Sequence, residues 1–61
     1  MPLVNIKMLS GRTLEQKKEL VAKVTQAVVE STGATPEAVT IVIEDMSKQN
    51  FARGGILASE K

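Results

Sequence analysis

Leu3-Val4-Asn5-Ile6-Lys7-Met8-Leu9 alternates, with Val4, Ile6 and Met8 on one side and Leu3, Asn5, Lys7 and Leu9 on the other. A period of two with one clearly apolar face predicts a β-strand. Ser10-Gly11-Arg12 breaks it. The period then changes. Leu14, Leu20, Val21, Val24, Ala27 and Val28 recur at helical spacing and form one apolar stripe, while Glu15, Lys18, Glu19, Lys23 and Glu30 occupy the remaining surface. Thr13-Leu14-Glu15-Gln16 fits a capping box at the start of this helix. Ser31-Thr32-Gly33 ends it, with Gly33 free to take the left-handed conformation after the last turn. Thr35-Pro36-Glu37 is a second start signal, with a capping Thr and Pro at the first position, and room for about one turn. Val39 to Met46 reads as a second strand whose first half is apolar on both faces, as in a buried interior strand. In the polar tail, Ser47 to Lys61, Gly54-Gly55 predicts a tight turn or short hairpin.

The order is β-α-β with a small tail. The long link between the strands predicts a parallel pair. This is an α/β (α+β) arrangement in a single domain, residues 1–61, with a short C-terminal hairpin and a sheet completed by dimerisation. Length supports that last expectation. A chain of 61 residues rarely stabilises itself by more than about 3–5 kcal/mol without a staple. With no Cys and no His, disulfides and the usual zinc sets are excluded, so no metal is expected. A chain that is 43% hydrophobic then finishes its core by association.

Charge narrows the partners. The net charge is +1, the basic residues are scattered and Phe51 is the sole aromatic. That is not a nucleic-acid footprint. No apolar run approaches the roughly 18–20 residues of a membrane span, and the N-terminus does not read as a signal peptide. A soluble cytoplasmic protein with no nucleic-acid or membrane partner is expected.

The chemistry is sparse. Without His or Cys no Ser-His-Asp or Cys-His arrangement can form. Glu44 and Asp45 point to opposite strand faces, and strand-end solvation explains them better than a carboxylate dyad. Gly54-Gly55 lacks phosphate-loop spacing, and the lysines read as solvated surface. Pro2, Arg12, Phe51 and Arg53 remain. Each has an ordinary explanation: proline at a strand start, a polar loop residue, a tail anchor and an exposed cation. Together they make one coherent acid-handling site. Removal of Met1 would turn Pro2 into a free secondary amine able to take a proton. An ordinary α-amino group titrates near ~7.7–8.0, a prolyl amine somewhat higher, so a base working near neutrality must be pushed down. Apolar surroundings and a nearby arginine both do this. At an effective dielectric of about 20, a cation about 7 Å away costs the protonated amine roughly 2.4 kcal/mol, somewhat under two pK units. The same guanidiniums would hold a substrate carboxylate.

"MPLVNIKMLSGRTLEQKKELV" and "VTIVIEDMSKQNFARGGILAS" strongly resemble the 4-oxalocrotonate tautomerase family, over essentially the whole chain: an N-terminal strand, a Gly-Arg turn, a helix start, a second strand and a Phe-x-x-Gly-Gly tail. The resemblance implies a β-α-β tautomerase fold, a homohexamer arranged as a trimer of dimers, and active sites between subunits. It implies cofactor-independent enol–keto tautomerisation of small 2-hydroxy-dienoate acids such as 2-hydroxymuconate. Pro2 would be the general base, Arg12 the clamp on a substrate carboxylate or carbonyl, and Phe51 the aromatic shaping the pocket. In one respect the chain departs from the best-known members. They carry a second arginine early in strand two, where this chain has Thr40, and an apolar residue where it has Arg53. Arg53 is expected to replace the missing charge in part; otherwise diacids should bind weakly. The same amine would also serve a hydratase or dehalogenase acting on unsaturated acids, given a water-activating carboxylate. A non-catalytic oligomer binding a small acid is the third possibility.

Overall fold

A computed structural model describes residues 2–60 of the chain; the expected removal of Met1 concerns a residue outside them. Strand β1 spans Leu3–Leu9, helix α1 Leu14–Thr32 and strand β2 Thr40–Met46. Two short strands, β3 at Ala52–Arg53 and β4 at Ile56–Leu57, form the tail hairpin. β1 and β2 run parallel, in a register from Leu3 opposite Thr40 to Leu9 opposite Met46.

Local signals account for the boundaries. The capping box at Thr13 is complete. The Thr13 hydroxyl accepts from the Gln16 N–H at 3.1 Å, and the Gln16 side chain accepts from the Thr13 N–H at 2.9 Å. The helix runs through Ser31 and Thr32 before Gly33 stops it at φ 79°, donating its N–H to the Val29 carbonyl. The single turn after it is a 3-10 turn, Pro36–Ala38. Here Thr35 serves through its carbonyl, which accepts from Ala38 N–H at 3.0 Å; its side chain makes no cap bond, contrary to expectation. In the tail, Gly54 and Gly55 at φ 61° and 83° give the doubly left-handed turn that matches strand twist in a two-residue hairpin.

The helix covers the strand face formed by Val4, Ile6, Met8, Ile41 and Ile43, all half-buried. On its own side it uses Lys17, Leu20, Val21, Val24 and Val28. Two members of the expected stripe are corrected: Leu14 is 67% exposed and Ala27 is also exposed. Leu14 is the first helical residue, at the margin of the layer, and Ala27 points away from the centre of the stripe. Within the single chain β2 is an edge strand. It has one neighbour, β1, and Val42 on its open face is 46% exposed.

No described residue is fully buried. The accessible surface is 4709 Å², whereas a folded monomer of this mass shows about 3,900 Å². The radius of gyration, 14.5 Å, likewise exceeds the ~10.5 Å of a compact chain of this length. The surplus area matches what one partner loses in a standard interface, about 800 Å². It is carried by an elongated body measuring 43 × 24 × 13 Å and by apolar side chains left in the open, Leu3 at 65% and Ile56 at 49% among them.

Candidate active site

Pro2 stands at the head of β1 and is half-buried. It joins the sheet through its carbonyl, which accepts the Thr40 N–H at 3.0 Å. Its nitrogen therefore takes no part in the ladder. Thr40 opens β2 beside it, so the starts of both strands and Pro2 share one end of the sheet.

Arg12 belongs to the other end. A bond from Ser10 N–H to the Met46 carbonyl, 2.8 Å, closes the strand pair there. Arg12 follows, exposed, immediately before the Thr13 cap. A cavity of about 260 Å³ opens beside it, lined by Met8, Arg12, Gln16, Lys17 and Leu20. Gln16 thus fixes the helix start and forms one wall of this cavity. Lys17 is ion-paired with Asp45, which projects from the helix-covered face of β2. This corrects the reading of the lysines and of Asp45 as merely solvated. A signal was there: Asp45 continues the Ile41-Ile43 alternation, and Lys17 lies one turn before Leu20-Val21 on the helix stripe. Two facing apolar stripes each carrying one opposite charge read as a pair across the layer.

The tail holds the other two candidates. Phe51 is half-buried and its carbonyl accepts from Ala58 N–H at 2.8 Å, tying the hairpin's base. The Arg53 guanidinium lies 5.7 Å from the Phe51 ring centroid, within cation–π range. Neither Arg12 nor Arg53 makes an ion pair among the described residues.

The structure brings Phe51 and Arg53 together but keeps Pro2 and Arg12 apart. They flank the seven residues of β1, which at ~3.3 Å each span about 23 Å. The tail also departs from the Arg12 end, because it follows Met46. Within one chain, then, no arginine of the Gly-Arg turn stands about 7 Å from the amine, and the mutual effect expected of them requires a second chain.

Fold and punctuation define a small α+β enzyme of the tautomerase kind. A family described as tautomerase enzyme matches residues 2–61, and the chain belongs to it. It is 54% identical to the 2-hydroxymuconate tautomerase of Bacillus subtilis over 55 residues, 90% of this chain and 89% of that protein. The crystal structure of YwhB, a homologue of 4-oxalocrotonate tautomerase, superimposes with a TM-score of 0.95 at 50% identity, covering 98% of each chain. A heterohexameric 4-oxalocrotonate tautomerase from Chloroflexus aurantiacus J-10-fl matches with a TM-score of 0.92 at 32% identity, over 98% of this chain and 97% of that one. The chain is accordingly an isomerase. No helix among the described residues is long and apolar enough to cross a membrane.

Proposed function

We propose that this chain, as one domain spanning residues 1–61, is a cytoplasmic, cofactor-independent enol–keto tautomerase of small 2-hydroxy-dienoate acids such as 2-hydroxymuconate. Pro2 is its general base once Met1 has been removed. The observation that carries the reading is how Pro2 is held: the sheet engages its carbonyl through Thr40 N–H and leaves the nitrogen out of the ladder. A neutral amine there takes the proton of the dienol hydroxyl and returns it to a carbon of the same molecule. Nothing is consumed, so no cofactor is required. Arg12 holds the substrate carboxylate through paired N–H donors, Phe51 presents an apolar wall to the carbon chain, and the guanidinium disfavours the protonated amine.

Such a site needs Pro2 of one chain and Arg12 of another, because β1 separates them. The exposed apolar side chains and surplus surface support the same assembly: a homohexamer, a trimer of dimers in which a second copy extends the sheet. A heterohexamer in a neighbour of the same fold agrees with that assembly size.

The test compares the processed chain, its mass lacking methionine, with Pro2→Ala and with a chain extended ahead of Pro2. Extension converts the nitrogen to an amide with no basicity. A positioned general base contributes about 10²–10⁴-fold, so kcat/KM for 2-hydroxymuconate ketonisation should fall by at least about 100-fold on extension. Unchanged rates in both altered chains would leave a non-catalytic role for Pro2.

A further inference from the structure

We propose that Lys17 is a positioning residue: by occupying Asp45 it keeps the Arg12 guanidinium free for the substrate carboxylate. The inference rests on the reading above only in taking Arg12 as the carboxylate clamp. Three polar side chains line the cavity beside Arg12, its own included. Lys17 donates from Nζ to Asp45 Oδ2, and the Gln16 side chain accepts from Thr13 N–H. Both are committed. Arg12 makes no ion pair among the described residues, so the cavity presents one uncommitted cation.

Asp45 is the carboxylate placed to compete for it. It stands opposite Met8 in the strand register, on the helix-covered face, and Met8 is itself a cavity wall. The other two acids at this end are elsewhere. Glu44 alternates onto the open face, opposite Lys7, and Glu15 is 84% exposed beside Lys18. A planar guanidinium fits a carboxylate better than an ammonium does, so an unoccupied Asp45 would draw Arg12 inward and repel an incoming acid. Lys17 removes both effects. Its pair with Asp45 is 27% and 38% exposed, whereas the side chains of the other two ion pairs are 64% or more exposed. Solvent and salt therefore screen this pair less than those. Lys17, Asp45 and Arg12 belong to one chain, so the device works whatever other chain supplies Pro2.

The test is a double-mutant cycle on the assembled, processed enzyme, read in KM for 2-hydroxymuconate and, without turnover, in Kd for crotonate by NMR titration. Lys17→Met keeps the aliphatic stem and removes the charge; if that chain does not fold, Lys17→Gln takes its place. Both constants should rise about three- to tenfold, with kcat changing less than KM, and the ratio to the parent should shrink as salt is raised. Adding Asp45→Asn to Lys17→Met removes the competitor and should return both constants to within about twofold of the parent. Lys17→Arg, which keeps the pair, should bind like the parent. Parent-like constants in Lys17→Met would overturn the inference. So would a double variant as weak as Lys17→Met, the result of a merely structural bridge, since both chains lack it. A parent that binds no crotonate would overturn it as well. The full cycle in crotonate binding, from a parent that does not turn over 2-hydroxymuconate, would remove the tautomerase reading and leave the role of Lys17 standing.

Discussion

Thr13→Ala strikes one residue that serves the helix and the Arg12 cavity together. The substitution removes the hydroxyl that accepts from Gln16 N–H at 3.1 Å, while the return bond from Thr13 N–H to the Gln16 side chain, 2.9 Å, keeps both of its partners. Both bonds are exposed to solvent, so water replaces part of what is lost. A capping Thr replaced by Ala costs about 0.5–2 kcal/mol, typically ~1; the exposure argues for the middle of that range. In a chain this short, 1 kcal/mol moves the melting temperature by roughly 4–8 °C. The assay is thermal unfolding at one fixed protein concentration, since association alone shifts the transition. Thr13→Ser keeps the acceptor and should melt within about 2 °C of the parent. A Thr13→Ala chain that melts with the parent would show that the box contributes nothing, and the account of how the Arg12 turn is anchored to the helix would be wrong.

Val42→Asp places a charge on the open face of the sheet, beside Asn5 in the register. If a second copy covers that face, the unpaired charge costs several kcal/mol, and sedimentation should show a smaller species with little turnover; an unchanged assembly would exclude this face from the interface. Gly54→Ala forces a side chain onto a residue at φ 61°, where a Cβ meets open space, so backbone strain of about 1–2 kcal/mol is its only cost. Gly54→Asn should melt above Gly54→Ala, because Asn tolerates the left-handed region; the reverse order would contradict the turn geometry.

Short-range signals were readable in the sequence. The Val4-Ile6-Met8 alternation, the Thr13–Gln16 box, Gly33 and the Gly54-Gly55 pair each act within a few residues, and each appears in the structure as its chemistry requires. What depends on the whole layer was harder to read. Leu14 fits the helical stripe by angle, yet it lies at the margin of the sheet, and angle alone does not measure reach. Lys17 and Asp45 are 28 positions apart and meet only because strand register and helix phase agree. For the proposed site the sequence offers a set of residue types, Pro2, Arg12, Phe51 and Arg53. Its geometry is not legible there, because a parallel β-α-β unit puts Pro2 and Arg12 at opposite ends of one strand. The proposed site would need more than one chain to bring them together, and no local pattern encodes such an arrangement.

The most direct test of a site shared between chains is complementation. Pro2→Ala extended at its N-terminus and Arg12→Ala, each inactive alone, are unfolded together in equal amounts and refolded. If Pro2 and Arg12 of one site come from different chains, random mixing leaves about a quarter of the sites with both residues intact, and turnover returns to about that fraction of the parent. If both residues of a site came from the same chain, every site would lack one of them, and the mixture would stay as inactive as its components.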